Sequence, residues 1–407
     1  MNINWVRQQF PALSKQENMV FMDNAGGSQT VGYAIDAITE YLTHYDVQLG
    51  ASYATSVQAS EKLIQATNNI QTYLNAEHAE AVIVGPSSTA LVRILSLCLA
   101  QQWQKGDEVI ITDVDHECNR AAWLELQKQG IVIRQWRINP DTLELKTNEL
   151  LALMSKKTKL VCFTHVSNIL GSINPIKQWT ELAHEQGAMV CVDGVAYAPH
   201  RLLDVRDWDV DFYFFSTYKT FGPHQAVLYG KRDILKSLPG FNHDFIQTSP
   251  YKFQPGNVNY ELCYAMSAVV QYLCDLGADQ TDAEINRNNL TQAYQQIAEY
   301  EAGLLQPLLD FLNSKPQINI IGNAQSNPKQ RVATLSFVHD NIDSKTIVEQ
   351  IDPHHIGIRY GDFYAVKLID HLGLREHQGV VRVSLAHYNT IEEVDLLINA
   401  FKQIFDQ

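Results

Sequence analysis

Phe214-Phe215-Ser216-Thr217-Tyr218-Lys219-Thr220-Phe221-Gly222-Pro223 sets one lysine just after an apolar strand, Asp211-Phe212-Tyr213-Phe214-Phe215. Hydroxyls precede the lysine and a Gly-Pro turn follows it. A lysine at a strand's end, among small and aromatic residues, is partly desolvated. Desolvation favours the neutral amine, and a neutral amine forms a Schiff base with an aldehyde. Upstream, the apolar run Ala188-Met189-Val190-Cys191-Val192 ends in Asp193-Gly194. A lysine and an aspartate so placed are the pair that a pyridoxal 5'-phosphate (PLP) site needs. The lysine holds the aldehyde, and the carboxylate keeps the pyridine nitrogen protonated.

Around this pair, short β-rich runs alternate with helical patterns from about Met19 to Gly230. Strands are expected at Val20–Met22, Ala81–Val84, Glu108–Ile111, Ile131–Arg134, Lys159–Phe163, Ala188–Val192, Phe212–Phe215 and Ala226–Tyr229. Helical spacing lies between many of them, as in Leu91–Trp103, Ala121–Gln129 and Ile176–Gln186. Several strands are apolar on both faces, which suits an α/β fold with a mostly parallel sheet covered by helices on both sides. A long helical stretch, Ala283–Leu312, leads to a second unit. Its strands are expected near Ile318–Ile321, Ala333–Phe337 and Val380–Ser384, and its last helix at Ile391–Phe405. The expected division is a large domain over 15–280 and a small C-terminal domain over 281–407, with residues 1–14 packing on the latter.

The 407 residues are 45% hydrophobic and 19% charged, enough apolar material for a large core in two domains. The net charge of −14 argues against nucleic acid or an anionic membrane as partner, since both call for basic patches. No apolar run approaches the ~18 residues of a membrane span, and the N-terminus shows no secretory h-region. Cys98, Cys118, Cys162, Cys191, Cys263 and Cys274 show no C-x-x-C spacing and mostly lie in apolar runs. The reading is a reduced, cytoplasmic protein.

Pro86-Ser87-Ser88-Thr89-Ala90 follows the strand ending at Val84 and opens a helix. Free N–H groups at a helix start and three hydroxyls cradle a phosphate. The plainer reading is a Ser/Thr N-cap, but Asp193 and Lys219 tip the balance to phosphate. In Asp113-Val114-Asp115-His116-Glu117-Cys118, consecutive loop residues cannot converge on one metal ion, so no metal is expected. His116 instead either stacks on a planar cofactor or caps the next helix. Asn168, in Thr164-His165-Val166-Ser167-Asn168, either bonds a phenolic oxygen of the cofactor or makes a turn before Gly171. Ser216-x-x-Lys219 also matches a serine-acylating pattern, but the K-T-G triplet it requires is absent. Arg382, in the apolar Val380–Leu385, needs an anionic partner: a structural carboxylate, or a substrate carboxylate held bidentately.

Together these residues resemble the class V aminotransferase family of fold-type I PLP enzymes, in particular its cysteine desulfurase and selenocysteine lyase branch. The resemblance runs from about Val20 to the C-terminus. It rests on Asp23-Asn24-Ala25, His165-Val166-Ser167-Asn168, Asp193-Gly194, Phe215-Ser216-x-Tyr218-Lys219-x-x-Gly222-Pro223 and Arg382-x-Ser384-x-x-x-Tyr388-Asn389-Thr390. It implies the aspartate aminotransferase-like fold. It also implies that Lys219 binds the cofactor aldehyde and shuttles protons, that Asp193 pairs with the ring nitrogen, and that His116 stacks on the ring. Ser87, Ser88, Thr89, Ser216 and Tyr218 would surround the phosphate. Asn24, Asn168, Arg359, Tyr364 and Arg382 would surround the substrate, with Arg382 on its α-carboxylate. Asn257 sits where the family places a phosphate contact from the other subunit, which implies a homodimer with a shared site.

Three departures bear on the reaction. Tyr364 stands in the loop Ile356–Tyr364 at the place of the desulfurase nucleophile, and a phenol cannot form a persulfide. Ala196 replaces a Gln or His, so a bond to the ring oxygen is lost unless water, Tyr197 or His200 supplies it. Tyr218 replaces a His and still offers a hydroxyl. The expected function is a PLP enzyme acting on an amino acid, a C–S or other β-eliminating lyase without a persulfide cysteine. An aminotransferase or racemase on the same scaffold is the alternative. A PLP-binding protein with little catalysis is a third.

Overall fold

The computed structural model describes residues 1–16 and 18–406. Its central sheet has seven strands: β1 (Val82–Gly85), β2 (Glu108–Thr112), β3 (Val132–Trp136), β4 (Thr158–Thr164), β5 (Met189–Asp193), β6 (Phe212–Ser216) and β7 (Ala226–Gly230). They lie in the order β1-β7-β6-β5-β4-β2-β3. The pairs β2/β3, β2/β4, β4/β5 and β5/β6 are parallel, and β7 runs antiparallel to both β6 and β1.

The alternation of side chains across this sheet builds two core layers. Ile83, Ile111, Cys162, Cys191, Phe212, Phe214 and Leu228 face one way, toward the helix Ser88–Ala100. Val82, Val84, Val161, Phe163, Val192, Tyr213 and Phe215 face the other, toward the helices Ala54–Leu74 and Tyr260–Ala278. Burial on both faces is why these strands read as continuous apolar runs. Only β3, at the edge, alternates between buried and exposed.

A second sheet of four antiparallel strands follows: β8 (Ile318–Ile320), β9 (Thr334–His339), β10 (Arg359–Gly361) and β11 (Val380–Ser384), in the order β8-β9-β11-β10. The helix Arg287–Asn313 serves both cores. Its Leu290, Ala293 and Ile297 join the central-sheet core, while Leu304, Leu305, Leu308, Leu309 and Leu312 join the second.

The N-terminal segment packs on both units. Val6 and Phe10 are buried in the central-sheet core, and Phe10 packs on Phe221 and Tyr272 and, with centroids 4.6 Å apart, on Tyr388 of the C-terminal unit. Its link to the C-terminal helix is Arg7, which donates to Tyr388 O at 2.7 Å and pairs with Glu393 at 2.8 Å. Val20–Phe21 pairs in parallel with Ile356–Gly357. Among the described residues no helix is long and apolar enough to cross a membrane.

Candidate active site

Because β1, β2, β4, β5 and β6 run the same way, their C-terminal ends open on one edge of the sheet, where α/β folds bind ligands. Each end delivers a candidate residue. Ser87 and Ser88 follow β1, His116 follows β2, Asn168 follows β4, Asp193 ends β5, and Lys219 ends the short 3-10 turn after β6. One cavity is lined by Ser87, Ser88, Thr89, His116, Asn168, Asp193, Ser216, Tyr218 and Lys219 together. Nine residues singled out in the sequence therefore converge.

At one end of the cavity the helix Ser88–Ala100 begins. Ser87 is its N-cap and accepts the Ala90 N–H at 3.2 Å, so the capping role is real. The Ser88 and Ser216 hydroxyls lie 2.7 Å apart, beside Thr89 and Tyr218. Hydroxyls grouped at the start of a 13-residue helix make an anion site.

At the other end stand the titratable groups. The Lys219 amine is pushed down to about 8, mainly by burial and next by Arg382, with Asp193 and Asp23 opposing. Burial pushes the Asp193 carboxyl up to about 6, while the Val195 N–H, at 2.9 Å, and Lys219 pull it back. Burial, then Lys219 and Arg382, lower His116 to about 4. Its imidazole is neutral at pH 7, and Nδ1 accepts the Cys118 N–H at 3.0 Å, which leaves the proton on Nε2. A neutral ring, a buried carboxylate and a depressed amine beside a hydroxyl-rich helix start fit the parts of PLP.

Gly194 is required by close packing. A Cβ there would meet the Tyr213 ring at 2.1 Å. Tyr213 in turn bonds His165 Nδ1 at 3.0 Å, and His165 stacks on Tyr197 at 3.5 Å between centroids. Tyr197 is thus held against His165, and His200 is spent on buried Glu301 at 2.9 Å. Neither replaces the bond that Ala196 lacks.

Arg382 and the loop 362–365, from the side of the second sheet, pack against Asn168 and His116 of the cavity wall. The Arg382 guanidinium lies 3.7 Å from the centroid of Phe363, and its Nη1 donates to Asn168 O at 3.3 Å. Its Nε is buried without a hydrogen-bond partner among the described residues. Phe363 and Tyr364 both have positive φ, 50° and 61°. The strained turn is held by the Asn168 amide on Phe363 O and the Glu117 N–H on Tyr364 O, each at 2.9 Å. Tyr364 is 66% exposed, with its ring 5.2 Å from that of His116.

Some expectations need correcting. Asn24 does not face a substrate. Its Nδ2 donates to Ser384 O and Asn389 Oδ1, and its Oδ1 accepts from Tyr388. Asn168 donates through Nδ2 to Phe363 O and still lines the cavity. Asn257, expected at the other subunit's phosphate rather than its own, lies outside its own chain's cavity, is exposed, and donates to Gln48 Oε1 at 3.0 Å. Arg359 pairs with Asp23 at 3.4 Å. The sequence reading missed Cys118, Thr164, Val166 and Val195 in the cavity wall. It also missed the contacts of Asp23 and Phe363 with Arg382. Cys118 carried a signal, two residues after His116; Phe363 carried none.

All six cysteines are free and buried. Burial pushes the thiols of Cys98, Cys118, Cys162, Cys263 and Cys274 upward, away from the reactive thiolate.

Comparison with known proteins agrees with this geometry. The family model "Aminotransferase class-V" matches residues 20–300 and 288–397. The chain is 40% identical over 414 residues to the aminotransferase-like protein FGM3 of Gibberella zeae, covering 99% of this chain and 98% of that one. It is 32% identical to the cysteine desulfurase-like protein ustD of Aspergillus flavus, covering 99% and 91%. It is 31% identical to a cysteine desulfurase of Escherichia coli O9:H4, covering 99% and 98%. Among solved structures, the cysteine desulfurase CsdA of Escherichia coli shares the fold with a TM-score of 0.84 at 24% identity, covering 100% and 99%. The cysteine desulfurase of Thermococcus onnurineus does so with 0.87 at 22%, covering 99% and 98%. With its lysine, carboxylate and hydroxyl-lined helix start at one edge of the sheet, the chain belongs to the class-V aminotransferase family, as a PLP-dependent, cysteine desulfurase-like enzyme.

Proposed function

We propose that the enzyme is a lyase that breaks a C–S or other bond at Cβ of a cysteine-type amino acid, without a persulfide on the protein. The observation that carries this reading is the loop facing His116: it presents Tyr364, while all six thiols are buried. A phenol in that place leaves the sulfur to depart on its own.

Bound PLP supplies the sink for the electron pair left at Cα. Ser88, Ser216, Tyr218 and the helix start would hold its phosphate, Asp193 would pair with its ring nitrogen, His116 would cover its face, and Lys219 would hold its aldehyde. Arg382 orients the substrate carboxylate through the buried Nε that has no protein partner. Once free, the Lys219 amine is neutral above about pH 8 and takes the Cα proton at Nζ. The net change would be loss of the Cα proton to Lys219 and of sulfur with the Cβ–S electron pair, with one water converting the rest to pyruvate and ammonia.

We also propose a homodimer of the cytoplasm, in which the exposed Asn257 reaches the partner's phosphate site. Ile64, Tyr53 and Tyr251 are exposed large apolar side chains that suit such an interface.

The test is release of pyruvate and ammonia from cysteine, cystine and related sulfur amino acids. Release from any of them supports the lyase. Amine loss that requires an added ketoacid would replace it with an aminotransferase, and inversion at Cα with a racemase. A cofactor absorbance band that no amino acid moves would leave only a binding protein.

A further inference from the structure

Asp23 is bound to both arginines of the substrate side. Its Oδ1 accepts from Arg382 Nη2 at 2.9 Å, and its Oδ2 faces Arg359 Nη1 at 3.4 Å. A bridge between Asp23 and Ser384, on the strand that carries Arg382, fixes it there. Space for the carboxylate is kept by Gly26, where a Cβ would stand 2.7 Å from Asp23 Oδ2.

The two guanidiniums flank one ring. Arg382 lies 3.7 Å and Arg359 5.5 Å from the Phe363 centroid. Phe363 covers one face of Arg382, Asn168 O takes Nη1, and Asp23 takes Nη2. Of the nitrogens on this 2%-exposed side chain, Nε is the one with no partner among the described residues. Arg382 therefore keeps one N–H, at Nε, for an incoming carboxylate. Arg359, 56% exposed at its side chain, has its charge matched by Asp23.

We propose that Asp23 is a specificity-determining residue: an internal carboxylate that occupies Arg382 and Arg359, so that the site admits an amino acid with one carboxylate and rejects a dicarboxylic one. The inference rests on the reading of Arg382 as the substrate-carboxylate ligand. Its physics is charge counting. Two cations stand beside the site, and one of their charges is cancelled from within. A second acidic group on the ligand meets Asp23 as a like charge instead of meeting Arg359 as an opposite one. Asp23 also opposes the effect of Arg382 on the Lys219 amine, which places it within the same field.

The test uses PLP-loaded protein and two probes that lack an amine, acetate and succinate, with dissociation constants measured by calorimetry. In Asp23→Asn, the affinity ratio of succinate to acetate should rise about tenfold or more. In the double variant Asp23→Asn/Arg359→Gln, it should fall back toward the original value. Arg359→Gln alone, a change on an exposed side chain, should leave the ratio no higher than in the unaltered protein. An unchanged ratio in Asp23→Asn, or a raised one in Arg359→Gln alone, overturns the proposal. Acetate binding unaffected by Arg382→Lys would remove its premise, the carboxylate role of Arg382, and is read separately from the ratio.

Discussion

The hydroxyls of Ser88 and Ser216 lie 2.7 Å apart, one at the start of a helix and the other at the end of β6. They are close enough to share one phosphate oxygen or to hold two. Ser88→Ala and Ser216→Ala should each weaken PLP binding by about 1.5–3 kcal/mol, the worth of a hydrogen bond to a charged group. The double variant should lose less than the sum, because each hydroxyl orients the other. Titration of the apoprotein with PLP measures all three; strictly additive losses would mean that the two serines act independently.

Lys219 sets a pH dependence whose sign follows from its depressed amine. Below about pH 8 the amine is protonated and inert, and above it the neutral form dominates. The rate at which apoprotein captures PLP into a borohydride-stable adduct should climb with pH and level off above about 8. Lys219→Ala should give no adduct at any pH. Mass spectrometry of the reduced protein decides, and an adduct on another lysine would move the site.

The buried thiols make a chemical prediction. Iodoacetamide applied to the folded holoenzyme should leave product formation unchanged, since Cys98, Cys118, Cys162, Cys191, Cys263 and Cys274 are all buried. Inactivation that maps to an alkylated cysteine other than Cys118, which lines the cavity, would restore the persulfide route.

Gly194 links folding to chemistry. Gly194→Ala places a methyl against the Tyr213 ring, next to Asp193. Overpacking of this kind costs about 1–3 kcal/mol. The thermal midpoint of the apoprotein should fall, and PLP affinity with it. A full-affinity variant with an unchanged midpoint would show that the strand end yields freely.

Much of this was legible in the sequence for one reason. β1, β6 and β7 are buried along their whole length, so they stand out as apolar runs that end abruptly in polar chemistry. The helices Gly32–His44, Ala54–Leu74 and Tyr260–Ala278 were not legible. None has a side-chain cap at its start, and Tyr260–Ala278 is apolar nearly all round, so its period is blurred. At the site, residue types pointed to the right chemistry, but their partners lie far along the chain. Nothing near Asn24 reveals that Tyr388 and Asn389 consume its amide. Nothing near Phe363 reveals a left-handed backbone at a non-glycine residue, or Arg382 beneath its ring.

The pairing of Val20–Phe21 with Ile356–Gly357 has a consequence for biogenesis. A ribosome releases the first strand long before its neighbour exists. Arg7 likewise waits for Glu393, and Asp23 for Arg382. The lysine, the aspartate and the hydroxyl cradle can assemble earlier, once β7 (Ala226–Gly230) has joined β1 to β6. The opposing charges of Asp23, Arg359 and Arg382 cannot. A chain interrupted before its last sheet strand would hold a cofactor cleft with no gatekeeper, so catalytic competence is a property that the nascent protein acquires at the end of synthesis.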